Sequence, residues 1–177
     1  GVVGAGVVVG TVVGAVVGGV VVVVAAADVA TAVDATVVAV VVVGLTAEQE
    51  TEAIDKTTLA LPGRQDDLVR AVASAARRSV VVINSATPVR MPWLQEVDAV
   101  LWIGLPGQEG GHAVADVLLG KAEPTGRLVT TFPVADGEGP AWNLTPQDGA
   151  LDYAEGTRVG YRGWYGSNVE PAFWFGA

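Results

Sequence analysis

The chain has 177 residues, no cysteine and a formal net charge of -9 at pH 7. That length suits one domain with its own hydrophobic core, and the absence of cysteine excludes disulfide and thiolate chemistry without deciding between a cytoplasmic and a secreted location. A pI of 4.4 leaves no basic surface for a phosphate backbone, so nucleic acid is a poor candidate partner.

The first segment is unusual. "GVVGAGVVVGTVVGAVVGGVVVVVAAAD" carries no charge before Asp28 and consists almost entirely of Val, Gly and Ala. Its length and apolarity would suit a membrane-spanning helix. Valine is β-branched, glycine is a weak helix former, and neither a basic flank nor an aromatic belt is present, which argues against a membrane partner. There is no positively charged stretch of the kind that begins a secretory signal, and no signal peptide is recognisable. Residues 1–33 are therefore taken as a valine- and glycine-rich segment, either an unreliable stretch of sequence or part of the first strands. Residues 34–177 are taken as an α/β domain.

"DATVVAVVVVGL", residues 34–45, reads as a strand buried on both faces, because its apolar run lacks polar alternation and stops at Gly44. "AEQETEAIDK" follows as a charged loop at the strand's carboxyl end. Its carboxylates, Glu48, Glu50, Glu52 and Asp55, are open to two readings, a catalytic acid or a solvated turn. "LPGRQDDLVRAVASAARRS" predicts an amphipathic helix, with Pro62 near its start and Leu68, Val69, Val72 and Ala76 on one stripe. "VVVIN" at residues 80–84 and "VDAVLWIGLPG" from Val97 are two further strands, joined by a short connection or helical turn. A helix is expected from about Gly111 to Leu119, closed by Gly120. The tail from Thr131 reads as irregular, except that "YAEGTRVGYRGWY" suggests one strand. This order predicts an α/β fold, a mostly parallel sheet flanked by helices, with ligands met beyond the strand carboxyl ends.

Four blocks, "VVVVGLTAEQETEAIDKTTLALPGRQDDLVRAVA", "VVVINSATPVRMPW", "GLPGQEGGHAVADVLLGKAEPTGRLVTTFP" and "YAEGTRVGYRGWY", lie in the same order as in glycoside hydrolase family 3 of the β-glucosidase type. From about Asp34 to Ala177 the chain resembles the second, α/β-sandwich domain of that family. The resemblance implies a hydrolase acting on a β-linked glucoside or oligosaccharide, without cofactor or metal. It also implies a partner: a (β/α)8 barrel, in cis or in trans, supplies the aspartate nucleophile, while a loop of the α/β domain supplies the acid/base glutamate. Such a domain alone is expected to be inactive, and the resemblance implies that both ends of the chain are cut.

In the family the loop usually reads Glu-Gly-Tyr-Asp-Arg, which matches Glu52, Ala53, Ile54, Asp55 and Lys56. Glu52 is the implied acid/base, with Glu50 the second candidate in the same loop. Ala53 lacks the backbone freedom of glycine, and Lys56 replaces a planar fork with a point charge, so both depart from the pattern.

Other features have plainer readings. "GLPGQEGGHAVADVLLG" matches neither phosphate-binding glycine motif, and Glu109 would repel an anion. His112 is the single histidine, which leaves little basis for a zinc site. Arg127 and Arg162 are expected to be at least half-buried and fold-fixing, with Glu155 as a possible partner. Among the five tryptophans, Trp93 and Trp142 are the candidates for stacking on a sugar face, against core packing for the rest. Two further functional classes stay open at this stage. One is a non-catalytic carbohydrate-binding or structural remnant of the domain, and the other an apolar anchor joined to a soluble α/β domain.

Overall fold

The computed structural model describes residues 15–17, 20–23, 38–140, 142 and 145–177. These form two compact units. The first takes the chain up to Ile54 together with Leu61–Ala86 and Pro92–Gly110, and the second takes Asp55–Ala60, Thr87–Met91 and Gly111–Ala177.

The first unit is built on a five-stranded sheet, β1 (Ala15–Val17), β2 (Val20–Val23), β3 (Val38–Gly44), β4 (Arg78–Asn84) and β5 (Ala99–Trp102), in that spatial order. β1 and β2 pair antiparallel, and every other pair is parallel. The backbone of 15–17 and 20–23 is thus strand, and the rest of the valine-rich segment lies outside the described residues. Among the described residues, no helix is long and apolar enough to cross a membrane.

Valine dominates β3 and β4 because a β-branched side chain loses little freedom on a pleated surface. Val40, Val41, Val81 and Val82 are all buried, so consecutive residues pointing to opposite faces are both covered. Each fully buried valine contributes about 1.5 kcal/mol to the core of the unit. The connection from β3 to β4 is α1 (Gln65–Ala75), which lays Val69 and Val72 on the sheet beside β3 and β4. The predicted stripe is there in part: Leu68 is only half-buried, and Ala76 lies one residue past the helix end. Asp66 and Asp67 place negative charge at the helix's positive end. β4 and β5 are joined by a connection whose only regular element is a single 3-10 turn, Leu94–Glu96. The architecture is the expected mostly parallel sheet flanked by helices.

α2 (Gly110–Leu118), which belongs to the second unit from Gly111 onward, is closed by Gly120, which adopts a φ of 69°. The tail is tied by backbone bonds between 128–132 and 172–177. Phe132 N–H donates to the Phe173 carbonyl at 2.8 Å, and Gly176 N–H donates to the Leu128 carbonyl at 2.8 Å. Tyr161 stacks on Phe175 with ring centroids 4.9 Å apart.

Two expectations are corrected here. "YAEGTRVGYRGWY" forms no strand. Gly156 and Gly160 both take positive φ, and the chain turns twice before entering a short helix, α3 (Tyr161–Tyr165). Two left-handed residues four apart break the alternation that a strand needs. Arg127 and Arg162 are both exposed rather than semi-buried, and the Arg162 guanidinium lies 5.0 Å from the centre of the Tyr161 ring.

Candidate active-site loop

Because β3, β4 and β5 run parallel, their carboxyl ends share one edge of the sheet, and register places Gly44 beside Asn84 and Ile83 beside Trp102. The last residue of β3, Gly44, is a glycine for a steric reason. A Cβ there would sit 2.3 Å from the carbonyl oxygen of Asn84, closer than any side chain tolerates. The loop from Leu45 to Ile54 starts at this close approach.

Several side chains hold that edge. Gln65 grips Gly44 from both sides: its Oε1 accepts the Gly44 N–H at 2.8 Å, and its Nε2 donates to the Gly44 carbonyl at 2.9 Å and to the Pro62 carbonyl at 3.2 Å. The main chain of Leu45 donates to the Asn84 carbonyl at 3.2 Å. Asn84 in turn reaches past β5, its Nδ2 donating to the Gly104 carbonyl at 2.9 Å. Trp102 Nε1 donates to the carbonyl and hydroxyl oxygens of buried Ser85 at 2.9 and 3.1 Å.

Inside the loop, Thr46 organises the first turn. Its carbonyl accepts the N–H groups of Gln49 and Glu50, each at 3.0 Å, and its own N–H donates to Gln49 Oε1 at 3.1 Å. Its hydroxyl donates to Glu48 Oε2 at 3.3 Å.

The two candidate glutamates part company. Glu50 is half-buried, and its Oε1 accepts the backbone N–H of Ala86 at 2.5 Å, so it ties this loop to the one after β4. Glu52 lies two residues further on and is exposed. Ala53, at the position where the family motif carries glycine, adopts a φ of 69°, the left-handed region that an L residue enters only at a cost.

Within the second unit, Lys56 Nζ donates to the Thr87 hydroxyl at 2.6 Å. Asp136 receives the Thr58 hydroxyl and the Leu59 N–H, both at 2.7 Å, with Arg90 Nη1 3.8 Å away. Burial pushes the Asp136 carboxyl upward, but the Leu59 N–H, the Thr58 hydroxyl and the Arg90 charge together outweigh it and hold the group below its ordinary range.

The tryptophans divide sharply. Trp93 has no exposed surface, and its Nε1 donates to Asp66 Oδ1 at 2.7 Å under the start of α1. A ring without an open face cannot cover a sugar, so Trp93 belongs to the core and leaves the stacking candidates. Trp142 is 38 % exposed and keeps an accessible surface. Gln65 and Asp136 escaped the sequence reading. "LPGRQ", with its proline and glycine just before a helix, gave a signal for the first, whereas nothing local marks Asp136, whose hydrogen-bond partners Thr58 and Leu59 lie more than seventy residues away.

A mostly parallel α/β sheet with a carboxylate-bearing loop at its carboxyl edge defines the class of this chain as an α/β-sandwich domain. Residues 11–161 match the glycosyl hydrolase family 3 C-terminal domain, and the chain belongs to that family. It is similar to a β-glucosidase of Rhizobium radiobacter, at 47 % identity over 139 residues covering 76 % of this chain and 17 % of that protein. It is similar also to the thermostable β-glucosidase B of Acetivibrio thermocellus, at 42 % identity over 134 residues, 75 % of this chain and 18 % of that protein. Among solved structures, the β-glucosidase of Kluyveromyces marxianus in complex with glucose superposes with a TM-score of 0.75 at 39 % identity, over 79 % of this chain and 17 % of that one. DesR, a β-glucosidase from Streptomyces venezuelae in complex with D-glucose, gives 0.71 at 40 % identity, over 78 % of this chain and 18 % of that one. The chain thus spans less than a fifth of the length of these relatives.

Proposed function

We propose that this domain contributes the acid/base glutamate, Glu52, to an exo-acting, retaining β-glucosidase-like hydrolase whose nucleophile lies on a (β/α)8 barrel, in cis or in trans. The observation that carries the reading is an exposed Glu52 in a loop held at the sheet's carboxyl edge by Gln65 and Glu50. An acid that must reach a substrate bound elsewhere needs exposure in its own domain, and a fixed loop limits the freedom it would lose in the transition state.

The chemistry assigns one proton to this residue twice. As the nucleophile attacks the anomeric carbon, the glycosidic C–O bond breaks and Glu52 delivers its proton to the departing oxygen. Glu52, now a carboxylate, then takes a proton from the water that displaces the sugar from the nucleophile. Retention requires the two carboxyl groups to stand about 5–5.5 Å apart, which is why the domain by itself should not turn over. The substrate class is a β-linked glucoside or oligosaccharide.

The test is Glu52→Gln in the polypeptide joined to its barrel. Turnover of an alkyl β-glucoside should fall by roughly 10²- to 10⁴-fold, the usual contribution of a general acid. Turnover of a dinitrophenyl glucoside, whose leaving group needs no proton, should fall far less in its first step. Unchanged kcat on the alkyl substrate sinks the assignment. Glucoside affinity that survives in a protein with no turnover would favour the alternative, a carbohydrate-binding remnant using Trp142.

A further inference from the structure

We infer that Glu50 is a positioning residue for the loop that carries Glu52, acting by fastening that loop to the backbone of Ala86; the inference rests on the reading of Glu52 as acid/base. The two glutamates sit two residues apart and are equivalent by composition, but the fold treats them differently. Glu50 is half-buried, with one carboxylate oxygen on the N–H of Ala86, the second residue after β4. An oxygen that accepts a main-chain N–H spends a lone pair on the scaffold, and the side chain is aimed across to the neighbouring loop rather than away from the protein. Glu52 carries no such tether to Ala86 and is open to solvent.

The location of the tether gives it leverage. The start of the loop is already fastened, since Gln65 holds Gly44 on both its N–H and its carbonyl. Thr46 closes the first turn onto Gln49 and Glu50. The Glu50–Ala86 bond is the next fixed point along the chain, and Glu52 follows two residues later. Ala86 itself is well founded, because the preceding Ser85 is fully buried and receives Trp102 Nε1 on two oxygens. Loss of this bond releases the chain just before Glu52 while the sheet beneath stays intact. Misplacing a catalytic group by about 1 Å costs on the order of 10²-fold in rate. A positioning carboxylate can be replaced by an amide, whose carbonyl oxygen accepts the same N–H, whereas a proton donor cannot.

The experiment compares Glu50→Gln, Glu50→Ala and Glu52→Gln in the barrel-containing enzyme, by kcat on an alkyl β-glucoside and by hydrogen exchange at the Ala86 amide. Glu50→Ala should lose roughly 10- to 100-fold in kcat and exchange Ala86 faster. Glu50→Gln should keep kcat within about threefold and keep the amide protected, since a neutral acceptor retains about half the strength of a charged one. If Glu50→Gln falls as far as Glu52→Gln on the alkyl substrate, and azide restores its turnover of a dinitrophenyl β-glucoside with β-glucosyl azide as product, Glu50 is the proton donor and the inference is overturned. If Glu50→Ala changes neither kcat nor exchange while Glu52→Gln is inactive, the tether has no role and the reading of Glu52 stands. If Glu52→Gln is fully active, the reading of Glu52 fails, and Ala86 exchange then decides the tether alone. Glu50→Asp, one methylene too short to keep the bond, replaces Glu50→Ala if the latter does not fold.

Discussion

Ala53→Gly should stabilise this protein, which is unusual for a substitution that only removes a methyl group. Ala53 is exposed and holds a φ of 69°, so its Cβ makes few contacts to lose and stands in the backbone region that L residues disfavour. Left-handed geometry costs a non-glycine residue about 1–2 kcal/mol. Glycine removes that cost but loses about 0.4–1 kcal/mol more entropy on folding. The net gain is therefore about 0.5–1 kcal/mol. Because the strain sits in one loop, local opening is the sensitive readout. Lys56, three residues downstream, offers a tryptic site, and cleavage there should slow roughly two- to fivefold if it follows the population of the open loop. Global stability by urea should rise with an unchanged slope, and the midpoint temperature by about 1–4 °C. Faster cleavage after Lys56 together with a lower midpoint would refute the reasoning, since it would mean that the alanine methyl makes contacts worth more than the strain.

Two more outcomes are expected. Gly44→Ala forces a methyl group to 2.3 Å from the Asn84 carbonyl and should cost about 1–3 kcal/mol in urea unfolding, with the loss of loop protection appearing first in hydrogen exchange at Leu45. Asp136 has a folded-state pKa below its ordinary value of 3.8, so the stability it contributes is present above that value and is lost as pH falls through the folded value. Asp136→Asn should therefore reduce stability at neutral pH and flatten the acid side of the stability curve, and an unchanged curve from neutral to pH 3 would contradict the bonding described.

The identity of the elements was largely written along the chain. The unbroken apolar run ending at Gly44 and the periodic stripe containing Val69 and Val72 are local signals, and they became β3 and α1. The motif around Glu52 was equally local. The tail was harder. Its turns depend on Gly156 and Gly160 taking positive φ, and nothing near them in sequence distinguishes a glycine inside a strand from one that reverses the chain.

By itself, then, the sequence determined the α/β order, the charged loop after β3, the exclusion of thiolate chemistry and the family to which these residues belong. The motif ranked Glu52 ahead of Glu50, but only the tertiary structure showed what holds Glu50, and only it separated Trp93 from Trp142. Each of those distinctions depends on a partner distant in sequence: Ala86 for Glu50, thirty-six residues on, and Asp66 for Trp93, twenty-seven residues back. Periodicity reports which way a side chain faces within its own element. Which backbone amide it meets across a sheet edge is settled by how the strands align, and that is a property of the assembled fold.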